Sequence, residues 1–173
     1  MPRDGAHPGA SLKTRRKASQ YERRMALAWC WIVGHGLVPA SWPGTPKIGA
    51  TTLEVTGKRS GLLRRIPVTW VEVEGARYLV AMLGEESDWV HNVRAAGGRA
   101  ALRRGSRRQV LLEELPVAER APVLRAWYSR AGKSSTPRKY IALDPGARLP
   151  AFEEIAPRWP VFRIRSAEDV RAK

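Results

Sequence analysis

The sequence predicts an α+β chain, mainly β, in which antiparallel strands joined by hairpins close into a barrel with helices on its flanks. Three observations carry this expectation. Short runs of strand character recur from residue 52 onward, and glycine-bearing turns separate them. A helical pattern breaks into that series between the third and fourth strands. Several successive strands therefore lack the crossover that a parallel sheet requires. The 173 residues suit one domain of ordinary size, and a hydrophobic share of 43% is enough for a packed core.

The elements follow in order. Residues 1–19 read as a disordered basic tail, with Pro, Gly and the cluster Lys13, Arg15, Arg16, Lys17. Residues 20–47 read as a helix and a linker. Met25, Trp29 and Ile32 recur at helical spacing, and Gly34, Gly36 and Pro39 end the run. The barrel is expected over residues 48–165, with 166–173 as a C-terminal tail. Its strands are Thr52–Thr56, Arg65–Val73, Arg77–Met82, Arg99–Arg103, Arg107–Glu113 and Pro160–Ile164. Glu74-Gly75-Ala76 makes a hairpin, its glycine available for positive φ. Pro67 marks an edge or a strand end, because proline has no N–H for a ladder. A helix from Ser87 to Ala96 begins at an N-cap serine, lines up Trp89, Val93 and Ala96, and closes at Gly97-Gly98. Val117–Arg130 is an amphipathic helix with Val117, Ala121, Leu124 and Tyr128 on one side. Gly132–Lys139 is a polar loop, and Ala151–Ala156 a short helix before the last strand.

Charge narrows the function. The net charge of +15, from 31 Lys and Arg against 16 Asp and Glu, favours anionic partners: nucleic acid, acidic lipid or phosphorylated cofactors. Solubility and an arginine-rich coding bias account for the same excess, so the position of the charges matters more than their sum. Cys30 stands alone, which excludes an internal disulfide and fits a reducing, cytoplasmic setting. His7, His35 and His91 have no zinc-ligand spacing, so no metal is expected. The apolar stretch Met25–Val38 is too short for a membrane span, which needs about 20 residues.

Two segments carry chemistry. Thr56–Pro67, T-G-K-R-S-G-L-L-R-R-I-P, packs Lys58, Arg59, Arg64 and Arg65 around two glycines and Ser60. Such a turn can converge on a phosphate, with arginine binding it bidentately. A plain basic β-turn has the same spacing. Gly84–Gly97, G-E-E-S-D-W-V-H-N-V-R-A-A-G, leads a glycine loop into a helix N-terminus, with Trp89 and Asn92 on neighbouring faces. There the plain alternative is a core tryptophan and a solvated asparagine. The sequence shows no Ser-His-Asp set, carboxylate pair or metal pattern. That leaves a cofactor that carries its own chemistry, or a pure binder.

Together these segments resemble the deazaflavin-dependent nitroreductase family, also described as F420-dependent quinone reductases of the split β-barrel, FMN-binding-like fold. The resemblance runs over Leu53–Gly105 and Phe152–Ile164. It implies an oxidoreductase that transfers a hydride from reduced coenzyme F420 to an apolar acceptor such as a quinone. It places the cofactor phosphate on Lys58, Arg59, Ser60, Arg64 and Arg65. It puts Pro67, Val68, Val80, Ala81, Met82, Leu83 and Gly84 near the ring, and assigns Trp89 and Asn92 to the helix side of the same site. Phe152 and Ile155 stand where nitroimidazole-reducing relatives carry tyrosines, so they are the expected acceptor contacts and favour an apolar acceptor. Split barrels often pair, which leaves a homodimer open.

Three alternatives remain on sequence alone. The barrel can hold FMN or haem, or carry lipid without catalysis. Net charge allows nucleic acid, although no recognition helix, RNA-binding signature or zinc finger is present. Residues 13–33, basic and amphipathic, fit an acidic membrane surface, which would place the protein peripherally at the inner face.

Overall fold

The computed structural model describes residues 48–131, 141, 143, 144 and 146–166. The expected tail 1–19, the helix and linker of 20–47, the polar loop 132–139 and residues 167–173 lie outside them. So does the membrane-facing role given to residues 13–33.

Six strands form a closed antiparallel barrel: β1 (Ile48–Thr56), β2 (Leu63–Val73), β3 (Ala76–Val80), β4 (Arg99–Arg104), β5 (Ser106–Glu114) and β6 (Val161–Ser166). Their order around the barrel is β1-β2-β3-β6-β5-β4, and β4 returns to pair with β1. The antiparallel split-barrel architecture is therefore as expected. Each strand differs from its expected span by a few residues. β1 begins earlier, at Ile48, and β3 stops at Val80, so Ala81 and Met82 lie beyond it.

Hairpin geometry sets the registers. Glu74 (φ 50°) and Gly75 (φ 77°) both sit in the left-handed region, as a two-residue turn with the twist of its flanking strands requires. Pro67 pairs with Thr52 inside the β1–β2 ladder. The β2–β3 ladder, however, starts only at Trp70. The half of β2 that holds the proline is thus paired on one side, the edge-like setting that a residue without an N–H calls for.

Strand alternation gives the barrel two apolar surfaces. Leu53, Val55, Val68, Leu79, Ala81, Ala100, Leu112 and Phe162 form one buried cluster. Helix α1 (Asp88–Ala95) adds Trp89, Val90 and Val93 to it. The Trp89 and Phe162 ring centroids lie 5.3 Å apart, tilted by 53°. The opposite faces of β2, β3 and β6 present Val71, Val80 and Val161 to a second cluster. Helices α2 (Val117–Ala131) and α3 (Leu149–Ile155) cover that face. Trp127 Nε1 donates to Thr69 Oγ1 at 3.2 Å, and Tyr128 Oη donates to the Leu143 carbonyl at 2.6 Å.

Two helical expectations need correction. Ala121, Leu124 and Tyr128 are buried as expected, but Val117 is 44% exposed, because it opens α2 beyond the covered face. Ser87 stands at the N-cap of α1 with extended backbone, yet its hydroxyl makes no capping bond. It is buried and has no hydrogen-bond partner among the described residues.

Candidate functional site

Antiparallel pairing gathers the functional segments at one end of the barrel. β1 ends where β2 begins, β3 ends where β6 begins, and β5 ends beside the start of β6. The loop 57–62, the turn Gly84–Glu86 and α1 all stand at that end.

The loop is fixed by its own bonds. Gly57 N–H donates to the Leu62 carbonyl and Gly61 N–H to the Gly57 carbonyl, both at 2.9 Å. Ser60 Oγ accepts from the Leu62 N–H at 3.3 Å and from Arg64 Nη2 at 3.1 Å. The serine thus aims Arg64 as well as closing the turn. Asn92 Oδ1 on α1 accepts the Lys58 N–H at 3.0 Å and ties the loop to the helix. The resemblance assigned Asn92 to the helix side of the cofactor site; there its oxygen holds the loop.

Between loop and helix lies a cavity of about 590 Å³. Lys58, Arg59, Ser60, Arg64, Arg65, Trp89 and Asn92 line it, so seven of the expected residues meet there. Gly57, Ile66, Glu86, Asp88 and His91 complete the lining. Trp89 serves both readings: it is 8% exposed in the core cluster and also borders the cavity.

The remaining expected residues stand elsewhere. Val68 and Ala81 belong to the barrel core, and Val80 and Met82 to the cluster under α2 and α3. Pro67 lies on β2 with its side chain half-buried, and Leu83 is 52% exposed. Gly84 closes the turn onto the chain before β6. Its φ is +66°, and a Cβ there would come within 2.6 Å of the Arg158 carbonyl oxygen. Phe152 is 1% exposed and packs edge-on against Tyr128 at 5.8 Å. Ile155 packs against the same cluster. None of these nine lines the cavity, and Phe152 is sealed from any acceptor in this arrangement.

Charge is organised in two further networks. Glu54 has a side chain only 1% exposed beneath three arginines: Arg65 at 3.2 Å, Arg107 at 2.8 Å and Arg103 at 3.9 Å. Burial pushes its carboxyl up, but hydrogen bonds and charge from Arg107 and Arg65 outweigh burial and hold it below the ordinary carboxylate range. Arg65 therefore divides its charge between the cavity and Glu54. On the other side, Arg94 bridges Glu114 at 2.6 Å and Glu85 at 2.7 Å. Both pairings raise the Arg94 guanidinium above its usual value, Glu114 the more strongly. The Arg94 hydrogen bond lowers Glu85. Glu114 also takes Arg120 Nη2 at 2.8 Å, and that buried guanidinium donates to the Leu115 and Ala156 carbonyls. The chain links the turn beside the cavity to β5, α2 and the end of α3.

Four cations against two carboxylates, with Ile66 and Trp89 in the same lining, suit a ligand with an anionic end and a flat apolar body. Among the described residues no group of His, Cys, Asp or Glu is placed to hold a metal ion, and no helix is long and apolar enough to cross a membrane.

Comparison with known proteins bears on these features. No curated protein matches the chain. A solved F420-H2 dependent reductase (FDR-A) is similar at 19% identity and a TM-score of 0.46, over 67% of this chain and 93% of that one. A protein of unknown function from Agrobacterium tumefaciens strain C58, Atu2129, is similar at 12% identity and a TM-score of 0.50. That match covers 81% of this chain but 54% of the other, and it speaks for the fold alone. The model of the F420H(2)-dependent quinone reductase family matches residues 32–136, which include the basic loop, β2, β3 and α1. The chain belongs to the F420H(2)-dependent quinone reductase family and is an F420-dependent oxidoreductase.

Proposed function

We propose that Lys58, Arg59 and Arg64 seat the phosphate-bearing arm of reduced coenzyme F420 in the cavity, and that the acceptor is a quinone or a similar apolar electrophile. The observation that carries this reading is the bonded loop. Ser60 aims Arg64 and Asn92 pins Lys58 before any ligand arrives, so little ordering cost remains at binding. When bound, the deazaflavin supplies the hydride. The chain's own part is alignment and exclusion of water. The cations hold the anionic end, where arginine forks match phosphate oxygens. Ile66 and the Trp89 ring offer the apolar surface against which a flat ring can lie. No side-chain nucleophile is needed, which agrees with the chemistry of the lining.

The test is anaerobic. Protein is mixed with reduced F420 and a panel of quinones and nitro compounds, and return of the oxidised chromophore is followed. The reading expects quinone-dependent oxidation that weakens when Arg64 is replaced by Ala. FMN is titrated in parallel. Tight FMN binding with no response to F420 refutes the assignment.

A further inference from the structure

Three arginines, Arg65, Arg103 and Arg107, converge on the Glu54 carboxylate, and of these three only Arg65 lines the cavity. Glu54 and Arg65 are direct cross-strand partners on β1 and β2. Arg65 Nε donates to Glu54 Oε1 at 3.2 Å, and Arg107 Nε donates to Oε2 at 2.8 Å. Arg107 reaches the carboxylate from β5 across the intervening β4, where Ala101 stands opposite Glu54. The Glu54 side chain is 1% exposed, whereas that of Arg65 is 58% exposed. The carboxylate is thus shielded from any ligand, while the guanidinium it holds is open to one.

The atoms used decide what the contact does. Glu54 takes Arg65 by Nε, the nitrogen nearest the stem, so the contact leaves the two terminal nitrogens for the cavity that Arg65 lines. A guanidinium is charged with or without a partner; what a fixed carboxylate adds is direction. An exposed arginine otherwise samples many rotamers, and ordering it at binding costs affinity. Arg107 occupies the other oxygen and offsets the cost of burying the carboxylate. We propose that Glu54 is a positioning residue for the cavity: it holds the Arg65 fork toward a bound anion, and Arg65 thereby adds a preset contact to those of Lys58, Arg59 and Arg64. The proposal rests on the reading of the cavity as the seat of a phosphate-bearing ligand, and extends it to a residue that no ligand touches. Charge and direction predict opposite signs here. Glu54 is a negative group beside a site for anions, so its field alone weakens their binding, and its removal would tighten it. If Glu54 directs Arg65, its removal loosens the fork and binding weakens.

The experiment uses the full chain. Wild type, Glu54→Leu, Arg65→Met, Arg65→Lys and the double variant Glu54→Leu/Arg65→Met are titrated at one pH and ionic strength, with inorganic pyrophosphate by calorimetry and with oxidised F420 by fluorescence. Leucine fills the space of the glutamate but accepts no hydrogen bond. Glu54→Leu and Arg65→Met should each weaken binding about threefold or more. Glu54→Leu should cause no further loss once Arg65 is methionine; a merely structural role would weaken binding equally in both backgrounds. Arg65→Lys keeps the charge but has no fork to be held at Nε, and it should weaken binding about as much as methionine. Tighter or unchanged binding by Glu54→Leu overturns the proposal, as does an equal loss with and without Arg65. Wild-type affinity in Arg65→Lys overturns it as well, because charge then suffices, and this exposed substitution decides the matter even where Glu54→Leu is too unstable to titrate. A wild type that binds neither probe rejects the cradle and the proposal together. Pyrophosphate binding that follows the expected pattern, without any binding of F420, leaves the positioning standing and rejects the coenzyme.

Discussion

Asn92→Ala removes one hydrogen bond, the 3.0 Å contact from the Lys58 N–H to Oδ1, and leaves the core residues of α1 in place. The contact is solvent-exposed, so its net worth is about 0.5–1.5 kcal/mol. If loop order is what the bond supplies, the same energy is lost from binding at the cradle. F420 affinity should then fall about twofold to tenfold. Global stability should drop by no more than about 1.5 kcal/mol. Asn92→Asp separates the two possible origins of the effect. It keeps an acceptor for the Lys58 amide but adds a carboxylate to a cavity that already holds Glu86 and Asp88. Hydrogen exchange at the Lys58 amide reads loop order directly, and fluorescence titration with F420 reads affinity. Exchange should accelerate in the Ala variant and stay slow in the Asp variant, while affinity falls in both and the Asp loss is the more sensitive to salt. If the Ala variant keeps both a protected Lys58 amide and wild-type affinity, the idea of a loop ordered by Asn92 is wrong.

Phe152→Ala should cost about 3–5 kcal/mol of stability by opening a cavity against Tyr128. The folded fraction should keep its KM for a quinone, and a selective rise in KM would return Phe152 to the acceptor site. Glu54 and Glu85 both lie below the ordinary value of 4.5 in the folded chain, so the stability they give is complete above that pH and is lost as pH falls through their lowered values. Glu54→Gln should therefore destabilise the protein at neutral pH and flatten the acid limb of an unfolding titration; an unchanged acid limb would show that the three arginines do not hold Glu54 ionised. Arg94→Met leaves Glu85 without its partner and Glu114 with Arg120 alone, and thermal unfolding should shift down by a few degrees. Arg64→Ala should lower F420 affinity and reduce its salt dependence, without the loss of stability expected for Phe152→Ala.

The barrel was legible because each hairpin carried local evidence. Strand alternation, the Glu74-Gly75 turn and the glycines around loop 57–62 speak for themselves within a few residues. The cradle was legible for the same reason, since Lys58 to Arg65 are neighbours in sequence. Long-range partners were not. Nothing near Glu54 announces that Arg103 and Arg107, some fifty residues away, fold over it. Leu79 and Val80 look alike in sequence, yet strand parity sends them to opposite layers. His91 gave no signal beyond its helix, and the cavity includes it because α1 turns that flank toward loop 57–62. Phe152 was assigned to the acceptor through resemblance, and only packing reveals that α2 seals it in.

A wall with an apolar skin on each side separates two kinds of change. Substitutions beneath α2 and α3 alter how firmly the outer coat adheres, while the inner lining and α1, packed into it through Trp89, Val90 and Val93, keep the shape of the cradle. A lineage can thus rework the coat, and whatever neighbour meets it, without reshaping the cavity between loop 57–62 and α1.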